Sequence, residues 1–96
     1  MYTLQILNSF RKHEILLIKK DRTLEKRINK TLTFLQEDPL YPSLKSHKVN
    51  TPDYGVCWSS RVTGDIRIIW DYDENKQLII LLLDIGGHSG SQKVYK

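Results

Sequence analysis

Val56-Cys57-Trp58-Ser59-Ser60-Arg61-Val62-Thr63-Gly64-Asp65-Ile66-Arg67-Ile68-Ile69-Trp70 is the stretch that decides the fold. Val56, Trp58, Ser60 and Val62 alternate with Cys57, Ser59 and Arg61, the period of a strand. Val62-Thr63-Gly64-Asp65 is turn chemistry, and Ile66 to Trp70 is the returning partner. A β-hairpin is therefore predicted here. Downstream, Asp71 to Lys76 makes a second polar turn, and Leu78 to Ile85 is apolar on both faces, as a central strand should be. Gly86-Gly87-His88-Ser89-Gly90 then leads to the tail Gln92-Lys93-Val94-Tyr95-Lys96.

Upstream of the hairpin the period lengthens. Leu24, Ile28, Leu32 and Leu35 recur at helical spacing, with Arg27 and Lys30 on the other side. Asp21 and Thr23 offer caps for this helix, and Pro39 and Pro42 end it, because proline lacks the N–H donor and restricts its predecessor. Before it, Asn8 or Ser9 can cap a helix through Phe10, Leu17 and Ile18 that closes on Lys19-Lys20, where cations suit the negative end of the dipole. Tyr2 to Leu7 reads as a short strand. The expected fold is α+β: a short N-terminal strand, then a two-helix hairpin packed on a mainly antiparallel sheet of four to five strands, all in one domain over residues 1–96.

The chain of 96 residues has room for one core only. Its longest apolar run, Leu78 to Leu83, falls far short of the roughly 20 residues a spanning helix needs, and the N-terminus carries no signal-peptide pattern. Cys57 is alone, so no internal disulfide forms, which suits a reducing, cytoplasmic setting. The net charge of +4 fits an anionic partner without demanding one. Residues 1–38 carry eight Lys/Arg against five Asp/Glu, whereas residues 39–96 carry seven against six, so the positive field comes mainly from the helices.

The glycines near the C-terminus make neither a Walker loop nor a dinucleotide fingerprint, and His13, His47 and His88 lie far apart with one cysteine for company. Chemistry without metal or cofactor is expected. Arg67 interrupts an apolar strand; flanked by Asp65, it suits a fork for a phosphate, against the plainer reading of a solvated arginine on an open sheet face. His88, beyond the central strand, and His47, in the basic Lys45-Ser46-His47-Lys48, are of the residue type for proton transfer near neutral pH, although lone loop histidines are more often just exposed. Tyr95 suits stacking on a base, or anchoring the tail. Trp58 and Trp70 read as core.

Together, Pro42-Ser43-Leu44-Lys45-Ser46-His47-Lys48-Val49, Thr63 to Trp70, Asp84-Ile85-Gly86-Gly87-His88 and Val94-Tyr95 resemble, in order and over the whole chain, the RelE/ParE superfamily of bacterial toxins. The nearest pattern is the YafQ-like and RelE-like branch, whose members cut messenger RNA on the ribosome. The resemblance implies that Arg67 holds the scissile phosphate and that His47, Asp65, His88 and Tyr95 complete a catalytic set. It also implies RNA contacts from Lys45, Lys48, Arg61 and Lys93. Arg61 stands where the YafQ-like pattern has a histidine, and Cys57, Ser59 and Ser60 fill the stretch where RelE-like members have paired lysines. The base is then His47 or His88, with the other histidine or Tyr95 as acid. The expected partners are a cognate antitoxin and ribosome-bound mRNA. The rival expectations are a ParE-like inhibitor that binds DNA gyrase without cleavage chemistry and a catalytically inactive homologue.

Overall fold

The structure, a computed structural model, describes residues 1–75 and 78–87. Within them the chain runs β1 (Thr3–Ile6), α1 (Asn8–Lys20), α2 (Thr23–Glu37), a short 3₁₀ turn (Pro42–Leu44), β2 (His47–Thr51), β3 (Gly55–Arg61), β4 (Ile66–Tyr72) and β5 (Ile79–Gly87). The five strands form one sheet in the order β1-β5-β4-β3-β2. β2 to β5 pair antiparallel, while β1 lies parallel to β5 at the edge, so the sheet is mixed. No helix among the described residues is long and apolar enough to cross a membrane.

The expected hairpin is β3–β4, closed by Val62 and Thr63 N–H groups donating to the Ile66 carbonyl. The Thr63 hydroxyl oxygen accepts from the N–H groups of both Asp65 and Ile66, which tightens the turn. β2 has no counterpart in the sequence reading. Its five residues, His47-Lys48-Val49-Asn50-Thr51, have no apolar alternation and become a strand by pairing with β3. Gly86 and Gly87, expected in a loop, extend β5 instead.

The cap expected of Asn8 or Ser9 is not made: both are already helical, and the Ser9 hydroxyl donates to the Leu83 carbonyl of β5. Asp21 does act as expected. Its carboxylate accepts from the N–H and the hydroxyl of Thr23, and these bonds hold its pKa below the usual carboxylate value.

Helix and sheet bury one main core. Phe10 and Leu17 of α1 and Leu24, Ile28 and Leu35 of α2 meet Ile66, Ile68 and Trp70 of β4 and Ile80, Leu82 and Ile85 of β5. Side chains alternate across a strand, so Arg67, Ile69 and Asp71 of β4 and Cys57, Ser59 and Arg61 of β3 face the opposite way. There Cys57, Ile69 and Leu83 form a smaller cluster under Tyr54 and Leu7.

Trp70, completely buried, stacks on Trp58 with ring centroids 5.5 Å apart. Its Nε1–H donates to the Ser60 hydroxyl (2.7 Å), which lies 2.6 Å from the Ser46 hydroxyl, and Ser46 in turn donates to the Pro39 carbonyl (2.7 Å). This chain lets an indole N–H sit in the core with its bond made, and it ties the loop after α2 to β3. Ser60→Ala strands that buried donor, so a loss of about 1–3 kcal/mol is expected in urea unfolding. An unchanged midpoint would mean that the chain carries no stability.

Candidate functional site

The face of the sheet opposite the main core is chemically divided. At one end lie Arg61, Arg67 and His47; at the other, Asp71, Asp73 and Glu74 line a depression with Tyr54, Leu81 and Leu83. The basic end is built by register. Arg61 pairs directly with Arg67 across β3–β4, and Arg67 pairs with Gly86 of β5. His47 pairs with Ser59, one same-face step along β3 from Arg61. With neighbouring strands about 4.8 Å apart, these residues form one continuous strip. On its β5 side a glycine at position 86 sets no side chain beside Arg67.

Two arginines directly opposite each other repel, and a sheet tolerates such a pair poorly unless an anion lies between or the groups diverge. Arg67 is half-buried, and its Nη1 donates to the backbone carbonyls of Thr63 and Ile66. The anchors shown for the guanidinium are thus main-chain oxygens, where the sequence reading looked to Asp65. With one edge tied to the turn, the other N–H groups keep a fixed fork direction.

Asp65 itself rests against β5: a Cβ at Gly87 would lie 2.8 Å from its Oδ2. A larger residue there would push the Asp65 carboxylate aside. Arg61 is exposed, and its guanidinium extends toward Gly64 at the rim of the hairpin.

His47 is exposed, and its Nδ1 lies 2.9 Å from the Lys45 carbonyl. A carbonyl only accepts, so Nδ1 carries the proton and the lone pair of the neutral ring sits on Nε2. Lys45, which supplies that carbonyl, is held in the left-handed region (φ 52°), an uncommon conformation for a lysine. Lys48 departs from its expected grouping. It pairs with Trp58 on the helix side of the sheet, and its ammonium lies over the Trp58 ring 5.2 Å from the centroid. Of the residues expected to act together, Arg61, Arg67 and His47 share the strip, Lys45 borders it, Asp65 lies at the turn and Lys48 is on the other face. His88, Lys93 and Tyr95 lie outside the described residues.

The sequence reading passed over one pair. His13 of α1 meets Asp84 of β5, with Nδ1 2.5 Å from Oδ1, and the same carboxylate oxygen accepts from the Ile85 N–H. The register explains how. Ile69 pairs with Asp84 but Trp70 pairs with Leu82, so Leu83 is an extra residue in β5. Such a bulge re-aims the side chains beside it, here bringing Asp84 to the edge that α1 covers. A buried carboxylate held by two donors fastens the helix to the strand. No local signal joins residues 71 positions apart.

Cys57 is buried, and that burial pushes its thiol pKa up, which keeps it protonated and a poor nucleophile. Among the described residues, no three His, Cys, Asp or Glu side chains gather as metal ligands. The strip is thus a place where two guanidinium groups, that of Arg67 anchored, and a tautomer-defined imidazole lie side by side, suited to binding a phosphate and moving a proton next to it.

No protein-family model and no curated protein matches the sequence. Solved structures do. A YoeB/ParE toxin from Agrobacterium tumefaciens superposes with a TM-score of 0.71 at 17% identity, over 93% of this chain and 100% of that one. YafQ from Escherichia coli gives 0.68 at 16% identity, over 91% and 93%. A chain of the heterotetrameric YoeB–YefM toxin–antitoxin complex from Staphylococcus aureus gives 0.65 at 16% identity, over 93% and 99%. The chain has the fold of these toxins, the fold that the resemblance implied.

Proposed function

We propose that the protein is the toxin of a type II toxin–antitoxin pair and cleaves messenger RNA, in the cytoplasm and on the ribosome, without a metal. The observation that carries this reading is the strip itself: Arg67, anchored by turn carbonyls, stands opposite Arg61 with His47 on the neighbouring strand. Likeness in fold to YoeB and YafQ supports it.

In this mechanism His47 Nε2 takes the proton from a ribose 2′-hydroxyl. The 2′-oxygen attacks the adjacent phosphorus, the P–O5′ bond breaks, and the leaving 5′-oxygen takes a proton from His88 or Tyr95, as the sequence resemblance implies. The products are a 2′,3′-cyclic phosphate and a 5′-hydroxyl. Arg67 and Arg61 stabilise the extra charge on the pentacoordinate phosphorus, the largest electrostatic contribution. Lys45 and Lys93 would hold flanking phosphates, and Asp65 would steady the turn that carries Arg67. The partner is a cognate antitoxin that covers the protein, as the complexed fold relative from Staphylococcus aureus suggests.

Expression in a bacterium that lacks a cognate antitoxin tests this reading. Induction should stop growth and create new 5′ ends inside translated messages, each carrying a hydroxyl. His47→Ala should slow their appearance about 10²–10⁴-fold, the usual contribution of one acid–base group. Intact messages together with DNA-damage signalling would point instead to gyrase, and the nuclease proposal would be abandoned.

A further inference from the structure

Beyond the strip, α2 and β3 enclose a cleft of about 330 Å³. Arg27 and Lys30 of α2 supply its charge, with Arg61 of β3 at its border, Thr31 and Ser43 its hydroxyls and Phe34 an aromatic wall. Among the described residues no carboxylate lines it. Arg27 and Lys30 are three residues apart and so are neighbours on the helix surface, a spacing at which like charges destabilise a helix. Arg27 also borders the next cleft, where Asp21 and Asp65 lie, so Lys30 carries most of the unbalanced charge.

Phe34 stacks on Tyr41 with centroids 4.8 Å apart and planes 9° from parallel. Tyr41 does not line the cleft itself but remains substantially exposed, so it extends the aromatic surface of Phe34 outward beside the cleft. Cations without a counter-carboxylate beside an exposed aromatic ring are the elements of a single-strand nucleotide site: the cations take the phosphate and the ring takes the base.

We propose that this cleft is a second subsite for single-stranded RNA, holding the phosphate and base of a nucleotide that flanks the one at Arg67. The inference rests on the nuclease reading for its substrate, but not on cleavage for its test. Arg61 joins the two places, since it pairs with Arg67 across the strands and also lines the cleft. The path is further constrained by the acidic end of the face opposite the main core. Asp71, Asp73 and Glu74 repel a phosphate chain, so RNA leaving Arg67 turns around the rim of the hairpin rather than running down the sheet.

Fluorescence anisotropy with a labelled 2′-O-methyl single-stranded RNA, which lacks the attacking hydroxyl, tests the subsite on the full chain. Lys30→Glu should weaken binding about ten-fold or more and lower the dependence of log K on log salt by about one. Lys30→Arg should restore both. Tyr41→Ala should weaken binding about ten-fold through lost stacking while leaving the salt dependence alone. Lys30 is exposed on its helix, and circular dichroism checks that each variant remains folded.

Unchanged affinity and salt slope in Lys30→Glu would overturn the subsite even if the wild type cuts messages. Expected losses in a protein that cuts nothing would uphold the subsite and overturn the nuclease. A wild type that ignores RNA but binds an acidic peptide through Lys30 would assign the cleft to a protein partner and end the proposal.

Discussion

Arg67→Ala should lower the rate of message cleavage about 10²–10³-fold, the usual cost of removing one preorganised group that stabilises transition-state charge, while leaving the folded structure intact. The guanidinium sits on the face of β4 away from the main core, and its hydrogen bonds go to the Thr63 and Ile66 carbonyls at the turn. Its loss removes charge and direction from the strip but little buried apolar surface. Lysine should rescue little, because a single ammonium cannot hold the turn carbonyls and still present a planar fork to a phosphate. Single-turnover cleavage of ribosome-bound message, run beside a thermal melt, measures both halves of the claim. A variant that melts normally and cuts at the native rate would remove Arg67 from the mechanism.

Trp70→Ala should have the opposite profile, with a loss of about 3–5 kcal/mol in unfolding free energy. That is a large share of the roughly 5–15 kcal/mol by which a domain is stable. The side chain is fully buried, stacked on Trp58 and set edge-on to Tyr72 at 5.1 Å. Its removal opens a cavity at the centre of the sheet's helix side and leaves Ser60 without its donor. Urea denaturation monitored by far-ultraviolet circular dichroism gives the number; a loss below 1 kcal/mol would show that the neighbours collapse into the space. The two variants separate function from stability, because Arg67 and Trp70 lie on opposite faces of the same strand.

Local patterns carried much of this fold. Alternation in 56–70 identified the central hairpin, helical spacing of Leu24, Ile28 and Leu35 identified the buried face of α2, and both tryptophans pack with the core as read. The failures share a cause. β2 has no pattern of its own and exists through its partner. Ser9 left its capping role because the Leu83 carbonyl lay within reach, and Lys48 faced away from His47 because neighbours on a strand must. Arg27 and Lys30 read only as the other side of α2, and the fold sets them along one cleft that Arg61 also borders.

What the sequence determined by itself was both helices and every strand but β2, their order, and the chemical types available to a site, since periodicity, turn residues and prolines act within a few positions along the chain. The tertiary structure alone decided which of those groups meet. Strand register set Arg61 beside Arg67, one extra residue in β5 turned Asp84 toward His13, and the parallel pairing of β1 placed α1 along the edge of β5. The last two of these join residues far apart in the chain, where hydrogen-bond pairing and core packing choose the neighbour, whereas the hairpin's register follows from its turn.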